Sequence, residues 1–221
     1  MKNIDGNFGK KENMNKRAII VLNGKYLAES ADFLDAYIIC ADGGYNLLKT
    51  AGIKPDIIIG DNDSAEDAES IPKDIKRINY DREKDMTDGE ICVRYAIKEG
   101  FKKVTLLGAL GGRQDHVETN IALAALASKL GADTIIYDKD VEIHLIDERN
   151  NCFSKKIPKN TLISIVPFSQ SAHIIMTRGL KYPLIDARLN KLSSLGISNM
   201  AVQEDVEVKI SKGSALIFIN T

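Results

Sequence analysis

The chain has 221 residues, 44% hydrophobic and 28% charged, enough apolar material for one large domain or two small ones and too much for a disordered chain. Its 30 Lys and Arg against 31 Asp and Glu leave a formal charge of −1, which argues against a protein that coats nucleic acid. No apolar run reaches the ~18 residues that span a membrane, and Cys40, Cys92 and Cys152 form no CxxC pair, so neither a disulfide framework nor a structural zinc site is expected.

Residues 1–14 read as a polar, disordered extension, with Met14 as an alternative start to Met1. The apolar run Ala18–Leu22 is too short for a signal-peptide core, and the sparse thiols suit a reducing compartment, so a cytoplasmic protein is expected. Strand and helix patterns then alternate. The predicted strands are Ala18–Asn23, Tyr37–Ala41, Asp56–Gly60, Lys76–Tyr80, Lys103–Gly108 and Thr134–Asp138. Between them lie helix-like stretches at Glu29–Asp35, Tyr45–Ala51, Ala65–Ser70, Asp88–Glu99 and His116–Leu130. The strands are continuous apolar runs, which suits a parallel sheet covered on both faces. From about residue 140 the pattern becomes strands alone, at Val141–Ile146, Leu162–Val166, His173–Thr177, Val206–Ile210 and Ala215–Ile219. The expected fold is therefore an α/β domain over 15–140, with an open, mainly parallel sheet and helices on both faces, followed by a smaller all-β domain over 141–221. So short a β-rich domain is expected to pack on a partner surface.

Chemistry-bearing residues gather after the strands, where open α/β sheets bind ligands. Asp42-Gly43-Gly44 follows the second strand. Its glycines permit a sharp turn and close approach to a ligand; taken alone, a tight strand-to-helix turn with Asp42 as a cap is the simpler account. Asp61-Asn62-Asp63-Ser64 follows the third. Alternate residues of an extended chain face the same way, so Asp61 and Asp63 can point together, and paired carboxylates repel unless a cation or proton intervenes. Hard oxygen ligands suit Mg2+; a loop in which Asp63 or Ser64 caps a helix is the alternative. In Lys84-Asp85-Met86-Thr87-Asp88-Gly89-Glu90, Thr87 and Glu90 form a capping-box pattern, while Asp85 and Asp88 add acidity at a helix start and Lys84 could meet phosphate. Finally, Gly108-Ala109-Leu110-Gly111-Gly112-Arg113-Gln114-Asp115-His116, closing on Asn120, is a glycine-rich strand-to-helix loop with an arginine suited to phosphate. It is neither GxxxxGK[ST] nor GxGxxG. Together these clusters equip a Mg-dependent enzyme that transfers a group from a nucleotide.

The ordered set of Ala41–Gly44, Pro55–Ser64, Lys84–Glu90, Leu107–His116 with Asn120, and Gly196-Ile197-Ser198-Asn199 resembles the thiamine pyrophosphokinase family. The resemblance runs from about Ala18 to the C-terminus. It implies transfer of diphosphate from ATP to the thiamine hydroxyl, Mg2+ as cofactor, a C-terminal β-sandwich that binds thiamine, and a homodimer with thiamine at the subunit interface. Carried over by motif, Asp61, Asp63 and Asp88 hold the metal, and Arg113 joins them in catalysis. Asp42, Gly43, Ser64, Lys84, Asp85, Gly111, Gly112, Asp115, His116 and Asn120 surround the nucleotide, and Ser198 and Asn199 bind thiamine. Asn62, Gln114 and Met200 depart from the family pattern, and a chain without Trp cannot stack an indole on thiamine. Two other readings share the clusters. One is a pyrophosphokinase for another small alcohol such as a pterin; the other is a non-catalytic nucleotide- or metabolite-binding protein, which would need fewer aspartates.

Overall fold

A computed structural model describes residues 17–27, 33–60, 71–80 and 85–220. The chain divides into two compact units, residues 1–139 and 140–221.

The first unit contains β1 (Arg17–Val21), β2 (Ala36–Ala41), a 3-10 turn (Asp42–Gly44), α1 (Tyr45–Thr50), β3 (Ile57–Gly60), β4 (Lys76–Asn79), α2 (Asp88–Lys98), β5 (Lys103–Leu107), α3 (Gln114–Lys129) and β6 (Asp133–Asp138). Its described strands pair in parallel in the order β6-β5-β1-β2-β3-β4. Isoleucine and valine dominate the central strands because both faces are covered, and β-branched side chains fit a pleated surface. Ile19, Val21, Ile38, Cys40 and Ile58 pack with Tyr45 and Leu48 of α1. The intervening Ile20, Ile39, Ile57 and Ile59 are equally buried on the opposite face. Helix α2 lies against β1, β2 and β3, and α3 against β6 and α2. The outermost strand, β4, carries exposed Lys76 and Asn79, as an edge strand should.

The order matters for function. From β1 the chain lays β2, β3 and β4 outward on one side, and then returns to place β5 and β6 on the other. The chain connections from β1 and β5 run to opposite sides of this switch point, the place where open α/β sheets hold their ligand crevice, at the carboxyl ends of the strands.

The second unit contains β7 (Val141–Ile146), β8 (Cys152–Lys156), β9 (Leu162–Pro167), β10 (Ser171–Arg178), β11 (Ile185–Asn190), β12 (Asn199–Met200), β13 (Asp205–Lys212) and β14 (Ala215–Asn220). Two antiparallel layers, β12-β9-β14-β7 and β11-β10-β13-β8, bury one core. Ile163, Ile165, Ile217 and Ile219 enter it from the first layer, and Phe153, Ile174, Leu189, Val206, Val208 and Ile210 from the second. The unit is thus a β-sandwich.

Two differences from the sequence reading have clear causes. Strands β8 and β11 escape a hydrophobicity search because Phe153 and Leu189 are the only large apolar side chains each buries; the opposite faces are polar and exposed. The helix expected over Glu29–Asp35 is not continued in its described part: residues 33–35 form a turn, with Asp35 at φ 54. Residues 28–32, and the helix expected over Ala65–Ser70, lie outside the described residues. Among the described residues no helix is long and apolar enough to cross a membrane.

Candidate active site

The crevice between β1 and β5 is a cleft of about 360 Å³. Its floor is backbone. A Cβ on Gly24 would sit 2.3 Å from the Gly108 carbonyl oxygen, and one on Gly108, which has φ +62, would sit 2.5 Å from the Leu22 carbonyl oxygen. Only glycine lets the loops after β1 and β5 touch in this way. The loop after β2 joins them through Asn23, whose side-chain nitrogen lies 2.4 Å from where a Gly43 Cβ would be. Asn23 and Gly24 line the cleft, and the sequence reading did not single them out. A lone glycine after a strand is a weak signal; it gains meaning only once β1 is seen at the switch point.

The walls come from two helix starts. Thr87 caps α2 by accepting the Glu90 N–H at 3.2 Å. Glu90 does not complete the box, because its carboxylate takes Arg94 Nε at 2.8 Å. Thr87, Asp88 and Gly89 all line the cleft. Asp88 opens α2, where the helix dipole favours a negative group. Asp85 is exposed in the bend before α2 and is not a lining residue.

The glycine loop enters α3 through Arg113. Arg113 holds Asp115 with Nε–Oδ1 at 3.1 Å and Nη2–Oδ2 at 2.5 Å, and both side chains are largely exposed. The Arg113 hydrogen bonds hold the Asp115 carboxyl below its ordinary range. Asp115 Oδ1 also accepts the His116 N–H at 3.0 Å. Asp115 therefore orients the guanidinium from outside the cleft, whereas Gly112, Arg113, His116 and Asn120 line it. Asn120 Nδ2 donates to the Ala109 carbonyl at 2.9 Å and ties α3 to the glycine loop. Gly111 has φ +77, a Cβ on it would lie 3.3 Å from Lys25 Cβ, and it is not a lining residue of the cleft.

Asp42 is 3% exposed, and a Cβ on Gly60 would meet its Cβ at 2.5 Å, so it sits beneath the end of β3 rather than in the cleft wall. Burial first, and the Asp42 charge second, push the Cys40 thiol upward, which removes it as a nucleophile. Asp61, Asp63, Ser64 and Lys84 lie outside the described residues. No cluster of three metal-ligating side chains occurs among the described residues.

In the second unit, Gly196, Ile197 and Asn199 border a separate concavity of about 460 Å³ together with Tyr182, Leu184 and Leu195, and Ser198 is not among its lining residues. Ser198, at φ 56, is exposed and donates its N–H to Ser164 Oγ at 3.1 Å. Asn199 is 3% exposed. Its Oδ1 accepts the N–H groups of Tyr182 and Met200 at 3.0 and 2.9 Å, and its Nδ2 donates to the Tyr182 carbonyl at 2.7 Å. Asn199 is a brace across the concavity wall.

Two family profiles match the chain: "Thiamin pyrophosphokinase, catalytic domain" over residues 32–136 and "Thiamin pyrophosphokinase, vitamin B1 binding domain" over residues 143–215. Thiamine pyrophosphokinase of Bacillus subtilis (strain 168) is 30% identical over 183 residues, 81% of this chain and 85% of that protein. The chain belongs to the thiamin pyrophosphokinase family.

Solved thiamin pyrophosphokinases share the fold. A crystal structure of the Bacillus subtilis enzyme superposes with a TM-score of 0.82 at 26% identity, over 93% of this chain and 99% of that one. The yeast enzyme superposes with a TM-score of 0.75 at 16% identity, over 94% and 86% of the two chains, a likeness of fold alone. Both family segments are present here, and the residues between them, 137–142, contain the division between the two units.

Proposed function

We propose that this chain is a cytoplasmic, Mg2+-dependent thiamine diphosphokinase that moves the terminal diphosphate of ATP to the hydroxyl of thiamine and releases AMP. The observation that carries the reading is the cleft at the β1/β5 switch point, floored by glycine backbone and walled by the starts of α2 and α3. Such a site presents N–H groups and helix N-termini to a polyphosphate.

In this reading the thiamine oxygen attacks the β-phosphorus of ATP and the bond from that phosphorus to the α-phosphate oxygen breaks. Arg113, pre-oriented by Asp115, stabilises the charge that gathers on the departing AMP. Gly112, His116 and Asn120 hold the nucleotide from the α3 side, and Gly43 and Asn23 from the β1–β2 side. Ser64 and Lys84 complete the nucleotide's surroundings, and Asp42 supports the loop after β2 from beneath the end of β3. Asp88 supplies a hard carboxylate oxygen within the cleft, the donor type Mg2+ takes alongside substrate phosphates, and Asp61 and Asp63 complete its set. When bound, Mg2+ neutralises phosphate charge and aligns the transferring group.

The enzyme acts as a homodimer, with Ser198 of one subunit near the thiamine held against the partner's nucleotide cleft. Asn199, occupied by Tyr182, positions that loop. Tyr182 is 58% exposed beside the same concavity and supplies the aromatic face for which no Trp is present. Incubation with Mg-ATP and thiamine tests the proposal. AMP plus thiamine diphosphate is expected; ADP plus thiamine monophosphate, or turnover only with a different alcohol, would overturn it.

A further inference from the structure

A second polar site lies on the outer face of the β11-β10-β13-β8 layer. Strand alternation sends Ala172 and Ile174 into the sandwich core and turns Ser171 and His173 outward. The register then sets His173 opposite Arg188 of β11 on one side and opposite Lys212 of β13 on the other. An arginine, a histidine and a lysine thus form one row across three adjacent strands.

The row is organised around a hollow. Ser171, His173, Arg188, Ser211 and Lys212 line a concavity of about 470 Å³, within the roughly 300–1,000 Å³ of small-molecule pockets. The imidazole is held at both nitrogens: Nδ1 lies 2.6 Å from Ser211 Oγ and Nε2 lies 2.9 Å from Asp186 Oδ1. Arg188 Nη2 donates to Ser171 Oγ at 3.3 Å, and a guanidinium carries five donors in all. Asp186 is the acidic group bonded into the row, and Glu148 meets the adjacent turn by accepting the Gly213 N–H at 3.0 Å. Among the residues that line the hollow the charged groups Arg188 and Lys212 are both cationic; Asp186 is engaged by His173 and Glu148 by the Gly213 N–H. A guanidinium fork, an ammonium and two hydroxyls approach from three strands, and donors converging from several directions can each meet a different oxygen of a tetrahedral phosphate.

We propose that this concavity binds the phosphate group of a small ligand, with Arg188 and Lys212 supplying the charge and His173 fixed between them by Ser211 and Asp186. The site lies wholly within the second unit and shares no residue with the cleft of the first, so it does not depend on the function proposed above.

The ring 1H–15N signals of His173 report on it directly. They are assigned by their loss in His173→Gln and are separable from those of His116, which reports the nucleotide cleft. Titration with inorganic phosphate should move the His173 signals saturably. Arg188→Gln with Lys212→Gln should raise the midpoint at least tenfold and leave the His116 response unchanged. Both substituted residues are exposed, so the variant should keep its fold, with a melting temperature in phosphate-free buffer close to that of the wild type. Glycerol phosphate identifies the source: tighter binding than inorganic phosphate marks a phosphorylated metabolite, and equal or weaker binding marks the free ion, each supporting the site. An unmoved His173, an equal shift with chloride, or an unchanged midpoint in the double variant would overturn it.

Discussion

Asn199→Ala separates a brace from a substrate contact. The wild-type side chain makes three hydrogen bonds at 2.7–3.0 Å, two of them to the backbone of Tyr182, from a position only 3% exposed. At about 1 kcal/mol for each bond the truncation costs about 3 kcal/mol, and the orphaned Tyr182 N–H and C=O can add to that. For a chain of 150–250 residues this corresponds to a fall in melting temperature of roughly 6–12 °C. The loop carrying Ser198 should loosen at the same time, so the thiamine KM should rise while the ATP KM stays near its original value. Asn199→Asp keeps an acceptor for the Tyr182 N–H but turns a carboxylate oxygen toward the Tyr182 carbonyl, and should destabilise at least as much at neutral pH. Calorimetry and steady-state kinetics on the same preparations decide the matter. An Asn199→Ala protein that melts within about 1 °C of the wild type, with a raised thiamine KM, would refute the brace and return the side chain to direct substrate binding.

Other expectations follow from the same geometry. Arg113→Lys keeps the charge but loses the two-point grip on Asp115, so turnover should fall with little change in melting temperature; equal turnover would exclude a directional role for the guanidinium. Gly24→Ala drives a Cβ to within 2.3 Å of the Gly108 oxygen, so the loops must separate and affinity for ATP measured by calorimetry should drop, whereas an unchanged affinity would remove this contact from the site. Asp63→Asn should abolish most turnover, and mixing it with Asn199→Ala subunits should restore part of it; no recovery in mixed dimers would sink the shared site. In the sandwich, burial raises the Glu142 carboxyl, but hydrogen bonds from His144 and Lys155 outweigh it and hold the group at about 2, below its ordinary 4.5. Because the folded value is the lower one, Glu142 stabilises the fold above about pH 4.5 and loses that contribution as pH falls toward 2. Acid unfolding curves of wild type and Glu142→Gln should converge across that window, and parallel curves would show that the pairing adds no pH-dependent stability.

Much of this protein was legible in its residues alone. The continuous Ile and Val runs of β1, β2 and β3 announce strands buried on both faces, because no polar side chain is needed where helices cover the sheet. The loops bearing Asp42, Asp88 and Arg113 stand out because glycine and charge interrupt those runs at their ends. Tertiary structure decided three things. It chose β1 as the switch point, which made Asn23 and Gly24 part of the cleft, since strand order depends on long-range pairing and not on local pattern. It revealed β8 and β11, whose single buried large side chains leave too faint a periodicity to read. And it committed the amide of Asn199 to the backbone of Tyr182, 17 residues away in the chain, a partner that a Gly-Ile-Ser-Asn motif cannot name, because a buried amide takes whichever backbone groups the fold brings beside it.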